Sequence, residues 1–272
     1  MMGTDSANNR QIRPEGSART LDLTSTQYYS LNQVSASDIQ AFHKCPRKFY
    51  LQHILRLGEL IDRDPKRASN RGSLIHLLLE WGSTEQAEAL FARNQVDEQL
   101  AQELLSVVET FQNSQFMQRL QEGNKLVKEH AFYLQLSRNG ETPRYLKGFI
   151  DALTWQDDGS LLVIDYKTGA SRVQSADYQA QADCYALVGL AQGTESVQIL
   201  MVRPEITDFA GEPEVFSFDY SADQKETLRK KLLTTIEAME GAQSASLDMV
   251  DKEYCKAFCS VPEQLCERRD EL

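Results

Sequence analysis

The chain has 272 residues, of which 41% are hydrophobic and 25% are charged, as in a soluble globular protein with one large core or two small ones. No apolar run approaches the roughly 20 residues of a membrane helix, and the N-terminus lacks the apolar region of a signal peptide, so we expect a cytoplasmic protein. The formal net charge of −11 disfavours a general affinity for nucleic acid, although a small binding surface depends on local charge.

The N-terminal segment, residues 1–31, is polar and is predicted to be disordered. Ser35 and Asp38 have the spacing of a capping box and predict the start of a helix. Pro46 suits the first turn of a second short helix that ends near Arg56.

Helical periodicity continues beyond these two segments. Asn70 is predicted to cap a helix that runs to Trp81, and an amphipathic helix is predicted over residues 96–120. The period then changes to that of strands, at residues 130–137, 145–155 and 160–167.

The remaining pattern predicts a helix, two strands and a helix, over residues 176–190, 197–202, 215–218 and 223–239. The predicted fold class is α/β, with a central mixed β-sheet flanked by helices, an N-terminal helical part and a cysteine-rich C-terminal tail. The corresponding division of the chain is a helical part, a core and a tail, at residues 32–128, 129–245 and 246–272.

One segment is basic within this acidic chain. Between Lys44 and Arg71 there are eight basic residues and only three acids, a net charge of +5. Such a segment could contact phosphates, or it could be a solvated helical surface.

The segment from Tyr145 to Lys167 predicts a β-hairpin with a defined register. A three-residue loop over residues 157–159, with Gly159 in the left-handed conformation, places Asp151 opposite Asp165 on one face. Directly opposed residues have Cβ atoms about 4.5–5.5 Å apart. Lys167 follows on the same face, whereas a two-residue loop would separate the aspartates.

The predicted neighbours of these carboxylates are apolar: Phe149, Leu153, Leu161 and Val163. Opposed carboxylates in such surroundings repel each other and lose hydration. Lys167, or a divalent cation with Lys167 beside it, could offset that cost, and carboxylate ligands suit Mg²⁺ or Mn²⁺. The alternative is an edge hairpin whose acids face water.

An ordered set of motifs spans residues 35–266 and resembles the RecB-like branch of the PD-(D/E)XK nuclease superfamily, in particular the CRISPR-associated RecB-like exonucleases. The matching segments are Ser35-Ala36-Ser37-Asp38, Cys45-Pro46-Arg47-Lys48-Phe49-Tyr50, Arg71-Gly72, His76, Gly148-Phe149-Ile150-Asp151, Asp165-Tyr166-Lys167-Thr168-Gly169, Gln181, Tyr185 and the C-terminal cysteines. The resemblance implies a PD-(D/E)XK core that hydrolyses DNA.

The resemblance also implies a metal site. Asp151 and Asp165 would bind the metal ion, the backbone carbonyl of Tyr166 could add a ligand, and His76 would approach the same ion. A buried core histidine is the alternative for His76. Glu129, at the start of the preceding strand, could bind a second metal ion or a water molecule.

Three further residues receive catalytic roles from the resemblance. Lys167 would orient and help to deprotonate the attacking water, or stabilise charge in the transition state. Gln181 and Tyr185, four positions apart on one helix face, would hold substrate or catalytic groups, with helix packing as the alternative for Tyr185.

Five cysteines disfavour a disulfide framework in a cytoplasmic chain. Cys45, Cys255, Cys259 and Cys266 resemble the four ligands of the [4Fe–4S] cluster in these nucleases, although the spacing departs from the family pattern by one residue in each gap. Zinc and unligated buried thiols are the alternatives. Cys184 is predicted to be a core residue.

The sequence therefore favours an Mg²⁺- or Mn²⁺-dependent deoxyribonuclease, an exonuclease of single-stranded ends acting in CRISPR adaptation or DNA recombination and repair. The alternative is a catalytically weak DNA-binding or adaptor subunit, with protein partners in spacer acquisition or a helicase-linked complex. A zinc-tailed structural protein would leave the opposed aspartates unexplained.

Overall fold

The structure is a computed structural model that describes residues 31–55, 68–81, 84–122, 126–169 and 173–241, together with Val261 and Cys266. The segment predicted to be disordered lies outside the described residues, apart from Leu31. Cys255 and Cys259 also lie outside them. No helix in the described ranges is both long enough and apolar enough to cross a bilayer.

The N-terminal half is mainly helical. Helix α1 spans Ala36–Lys44 and begins with the predicted capping box, in which the Ser35 hydroxyl accepts the Asp38 N–H and the Asp38 carboxylate accepts the Ser35 N–H. Helix α2 spans Pro46–Phe49 and passes into a π-helical turn, Tyr50–Ile54. Both predicted helix starts are confirmed.

Two predictions in this half are corrected. Helix α3 spans Ala68–Trp81 and begins two residues before Asn70, which is therefore not its N-cap. Helix α4 spans Thr84–Arg93 and was not predicted. The single helix predicted at residues 96–120 is two helices, α5 and α6, because Ser114 caps the N-terminus of the second and ends the periodic run; their bounds are Glu98–Gln112 and Gln115–Glu122.

The C-terminal half contains most of a six-stranded mixed sheet and two long helices. The strands are β1 Gln33–Ser35, β2 Val127–Gln135, β3 Tyr145–Trp155, β4 Leu161–Tyr166, β5 Ser196–Thr207 and β6 Pro213–Ser221. Helix α7 spans Gln179–Ala191 after a 3₁₀ turn at Ser175–Tyr178, and α8 spans Lys225–Gly241 after a 3₁₀ turn at Ala222–Gln224. The predicted α/β fold class is confirmed.

Strand β3 organises the sheet, whose order is β1-β3-β4-β5-β6 with β2 on the other edge of β3. Strands β1 and β3 are parallel, as are β4 and β5, and the other neighbours are antiparallel. Two apolar layers cover the sheet. One contains residues of α1, α7 and α8, and the other contains residues of α3 to α6.

The crossover helix α7 packs closely against strand β5, since a Cβ on Gly189 would lie 2.7 Å from Val197 Cγ2.

The hairpin of β3 and β4 has the predicted register. Ala152 pairs with Ile164 and Trp155 with Leu161, so the register places Asp151 opposite Asp165, one position beyond the end of the paired segment. Gly159 has a φ of 81°, the left-handed conformation that a three-residue loop requires. The hairpin therefore delivers the two aspartates to the same level of the sheet.

Candidate active site

The candidate site lies where β3 changes partners. On one edge, β3 pairs with β1 up to Lys147 and with β4 only from Ala152 onward, so residues 148–151 have neither neighbour in the described sheet. On the other edge, the ladder with β2 omits the pair of Glu129 and Asp151. Asp151 therefore stands at an opening in the sheet, where its carboxylate can reach groups from both layers.

The alternation of β3 changes phase at this opening. Ile150 and Leu153 both lie in the layer with α7, although they are three positions apart. Leu153, Leu161 and Val163 are buried in that layer, but Phe149, predicted to share their face, is 61% exposed. The prediction of one uniform face is therefore wrong, because between Lys147 and Ala152 the strand has no partner on its β1/β4 edge and skips the pair at Asp151 on its β2 edge.

Asp165 is held by helix α7. Its Oδ1 atom accepts hydrogen bonds from Gln181 Nε2 at 2.9 Å and from the Tyr185 hydroxyl at 2.7 Å. Burial raises the pKa of Asp165 above its usual value, Lys167 opposes this, and Asp151 adds to it. Burial and Asp165 raise the pKa of Tyr185 well above its usual value, so its hydroxyl stays protonated and donates. Helix α7 thus fixes one oxygen of Asp165 and leaves Oδ2 for other partners.

Lys167 occupies the other side of Asp165. Its Nζ atom lies 2.5 Å from Asp165 Oδ2 and donates to Gln181 Oε1 at 2.6 Å. The same atom lies 5.7 Å from the ring centroid of Tyr178, a cation–π contact that the sequence did not predict. Gln181 bridges the carboxylate and the ammonium, so Asp165, Lys167 and Gln181, each predicted as a catalytic residue, form one connected unit.

Asp151 is held from the opposite layer. Its Oδ2 atom accepts the Tyr166 N–H at 2.7 Å and lies 3.4 Å from Nδ1 of His76 on α3. Burial lowers the pKa of His76, but the hydrogen bond and charge of Asp151 outweigh it, and the pKa lies above its usual value. The side chain of His76 is 33% exposed, so His76 belongs to the site and not to the closed core.

Glu129 faces the same opening with an unusual backbone. Its φ is 49°, in the left-handed region that a β-strand residue with a Cβ rarely adopts. Burial and Asp151 raise the pKa of Glu129 above its usual value. Such strain persists where surrounding structure imposes it, and it is often found at functional sites. The backbone therefore supports the predicted role of Glu129 at this site.

The strain at Glu129 predicts that glycine is more stabilising than alanine at this position, the reverse of the usual order in a β-strand. Glu129→Gly is expected to be more stable than Glu129→Ala by about 1 kcal/mol, because glycine adopts a positive φ without the Cβ penalty. Urea unfolding midpoints of the two variants measure the difference. Ala131 lies in the same strand without a positive φ, and Ala131→Gly is expected to destabilise by roughly 0.5–1 kcal/mol. A glycine that destabilises at both positions would contradict the strain.

The loop that follows Lys167 is anchored to α3 and β5. A Cβ on Gly72 would lie 2.4 Å from Thr168 Oγ1, so α3 approaches the loop at a distance that only glycine allows. The Gly169 N–H donates to Glu205 Oε2 at 2.8 Å, and Glu205 Oε1 accepts from Arg71 Nε at 2.8 Å. These contacts give Arg71 and Gly72 a positioning role next to Lys167.

The basic segment is only partly available to phosphates. Arg71 pairs with Glu103 and Glu205, and Arg47 is 4% exposed. Burial lowers the pKa of Lys44, the charge of Asp177 opposes this, and the charge of Lys167 adds to the lowering, so Lys44 is close enough to Lys167 to interact with it. Residues 56–67, which contain four of the eight basic residues, lie outside the described ranges.

The cysteines are described only in part. Cys45 and Cys266 are 4% and 7% exposed, and Cys45 Sγ accepts the Lys48 N–H at 3.3 Å. Cys184 is fully buried on α7, as predicted for a core residue. Cys255 and Cys259 lie outside the described residues, so the predicted four-cysteine site stays a prediction.

The donor atoms at the opening fit a hard divalent cation. Asp165 Oδ2 is buried and accepts no hydrogen bond from the described residues, since its short approach to Lys167 lacks hydrogen-bond geometry. Asp151 and His76 supply a second carboxylate and an imidazole beside it. In this arrangement, His76 and Lys167 face the carboxylates, and no group of three His, Cys, Asp or Glu side chains in the described ranges is clustered closely enough to hold an ion.

The chain is similar to a protein family and, at low identity, to solved structures. A family model described as the PD-(D/E)XK nuclease superfamily matches residues 33–267. No curated protein matches the chain. The crystal structure of SSO0001 has 15% identity and a TM-score of 0.46 and covers 86% of each chain. A crystal structure of a candidate exonuclease from Eubacterium rectale has 12% identity and a TM-score of 0.47 and covers 86% of this chain and 88% of that one. Because the family match spans most of the sequence, the chain belongs to the PD-(D/E)XK nuclease superfamily.

Proposed function

We propose that the chain is an Mg²⁺- or Mn²⁺-dependent deoxyribonuclease that hydrolyses phosphodiester bonds at the opening of the sheet. The observation that supports the proposal is the register of the β3–β4 hairpin, which places Asp151 opposite Asp165 one position beyond the last paired residues, with Lys167 and Gln181 hydrogen-bonded to each other beside Asp165. Three connected polar side chains in a buried setting have a high desolvation cost, which a purely structural role does not require.

Each side chain of the site has a separate proposed role. Asp151 and Asp165, with His76 and the Tyr166 carbonyl, would hold the cation, which when bound lowers the pKa of water and neutralises phosphate charge. Lys167 would orient the attacking water and accept its proton, or stabilise the developing negative charge. Gln181 and Tyr185 fix Asp165 and Lys167, and we assign Glu129 to a second ion or a water molecule.

We propose single-stranded DNA ends as the substrate, an exonucleolytic mode, and a role in CRISPR adaptation or in DNA recombination and repair. We also propose protein partners in spacer acquisition or a helicase-linked complex. These proposals rest on the resemblance to the CRISPR-associated RecB-like exonucleases. That resemblance is supported by the ordered set of motifs along residues 35–266, which includes the cysteines as well as the catalytic residues.

We further propose that Cys45, Cys255, Cys259 and Cys266 bind a [4Fe–4S] cluster. The cluster would join a helical part, residues 32–128, to a tail, residues 246–272, beside a core at residues 129–245. The burial of Cys45 and Cys266 supports this, as does the N–H···S hydrogen bond at Cys45. Absorbance with iron, zinc and sulfide analysis of anaerobically purified protein tests it, and zinc without sulfide would refute it.

The nuclease proposal is tested with end-labelled single- and double-stranded DNA, digested by anaerobically purified protein in Mg²⁺, Mn²⁺ or EDTA. We expect cleavage in either metal and none in EDTA, because the carboxylates of Asp151 and Asp165 cannot activate water without a cation. Progressive shortening from one labelled end would identify an exonuclease and its polarity.

The control is Asp165→Asn protein from the same purification, which reports contaminating nucleases. Metal-dependent cleavage by the wild type alone supports the enzyme. Folded wild-type protein that binds DNA but leaves it intact in both metals would instead identify a DNA-binding or adaptor subunit.

A further inference from the structure

An aromatic surface lies on the outward face of strands β1, β2 and β3. The side chains of Phe149 and Tyr133 are 61% and 57% exposed. Tyr133 stacks on Tyr145 with ring centroids 4.8 Å apart and an interplanar angle of 21°. Single exposed aromatic side chains are common, but here two exposed rings and the half-buried Tyr145 lie on one sheet face and form a surface that water solvates poorly.

This surface leads directly to the candidate active site. Along β3, Tyr145, Lys147, Phe149 and Asp151 occupy alternate positions, and their spacing places Phe149 about 7 Å along the strand from Asp151. On β2, Tyr133 pairs with Lys147 across the ladder. Phe149 thus precedes the proposed metal-binding carboxylate by a distance comparable to one nucleotide step, and the Tyr133–Tyr145 pair lies further along the strand.

The charge of this surface favours a nucleic acid over a basic protein. The row formed by Tyr145, Lys147 and Phe149 contains one lysine and no acid before Asp151, in a chain with a net charge of −11. Lys147 Nζ is placed above the face by a hydrogen bond of 2.9 Å to Gln33 Oε1. An aromatic surface with a lysine suits bases together with the phosphates that join them.

We propose that Phe149 and the Tyr133–Tyr145 pair form a base-stacking platform that holds unpaired bases next to the phosphate to be cleaved. The inference rests on the proposed nuclease function and deepens it, because the platform selects single-stranded over double-stranded substrate. Bases in a duplex are stacked on one another and present only their edges, so they cannot cover these rings. Stacking depends little on base identity, which predicts binding without sequence preference.

The test measures binding, separately from cleavage. A short fluorescein-labelled oligothymidylate is titrated with full-length Asp165→Asn protein, and anisotropy gives Kd. Adding Phe149→Ala in that background is expected to weaken binding about 5- to 100-fold, the range found for loss of one aromatic platform. Phe149→Trp is expected to restore it. Phe209 is fully exposed in the turn between β5 and β6, so Phe209→Ala serves as the matched control and is expected to leave Kd unchanged.

An abasic oligonucleotide separates stacking from other effects. Removing the bases is expected to weaken binding by the protein with Phe149. In the Phe149→Ala protein the same removal should change Kd little, because the stacking contact between ring and base is already absent. Equal affinities of the two proteins for oligothymidylate, or equal sensitivity of both to base removal, would overturn the platform while leaving the nuclease proposal intact. Sedimentation velocity tests whether the aromatic surface is instead an interface between two copies of the chain. A dimer that Phe149→Ala dissociates, with unchanged Kd for DNA, would assign this face to a second copy and overturn the proposal.

Discussion

Replacing Asp165 with asparagine is expected to reduce DNA cleavage at least about 10³-fold, because the change removes a carboxylate proposed to bind the metal ion and the partner of Lys167 together. Asparagine keeps the shape of the side chain and an oxygen that can accept from Gln181 and Tyr185. The fold should therefore persist. Initial rates on labelled single-stranded DNA in saturating Mn²⁺ measure the loss.

The same variant should also lose its thermodynamic response to metal. A cation that binds only the folded state stabilises it by about 2.7 kcal/mol at a concentration 100 times Kd, and Asp165→Asn should show much less of this gain. Asp183 provides the matched control, since it is a buried aspartate on helix α7 whose partners are Gln179, Tyr220 and Lys231. Asp183→Asn is expected to lower stability but to retain the metal response. A full response in Asp165→Asn would show that Asp165 does not bind the ion.

The features that sequence predicted well are those fixed by local geometry. Gly159 and the loop length determine the hairpin register, and the register alone brings Asp151 opposite Asp165. Ser35 and Asp38 determine the start of α1 through two hydrogen bonds within four residues. In each case the interacting groups are close in sequence, so the pattern contains the information.

The features that sequence did not predict depend on distant partners. Strand β1 has only three residues and no strand pattern of its own, and it forms because it pairs with β3 more than a hundred residues later. That pairing ends at Lys147 and creates the opening at Asp151, which shifts the phase of β3 and exposes Phe149. A regular alternation rule cannot foresee a strand that changes neighbours.

The surroundings of the site show the same division. The resemblance identified Gln181 and Tyr185, whose spacing on one helix face is visible in sequence. Tyr178, Lys44 and Glu205 were missed, because each reaches the site from an element whose position depends on the whole sheet. The spacing of Lys167 from Asp165 can be read from the sequence. The position of the Tyr178 ring near Lys167 depends on the tertiary structure.

Replacing Lys167 with methionine is expected to reduce cleavage about 10²- to 10⁴-fold while preserving the response to metal. Methionine matches the length of the lysine side chain, so the space beside Gln181 and Tyr178 stays filled. The carboxylates of Asp151 and Asp165 remain, and Mn²⁺ should still raise the unfolding midpoint. The metal response separates the two residues, because Asp165→Asn loses both properties and Lys167→Met loses only the rate.

Lys231 offers a control of matched chemistry, because it also pairs with a buried aspartate at 2.5 Å, but that aspartate is Asp183 and not Asp165. Lys231→Met should weaken stability and leave the cleavage rate unchanged. Lys167→Arg then distinguishes the two roles proposed for the lysine: arginine keeps the positive charge but does not give up its proton at any accessible pH. Substantial recovery of rate in Lys167→Arg would assign charge stabilisation, and a rate as low as in Lys167→Met would assign proton transfer. Wild-type rates in Lys167→Met would remove Lys167 from the reaction and leave the ion as the only activating group.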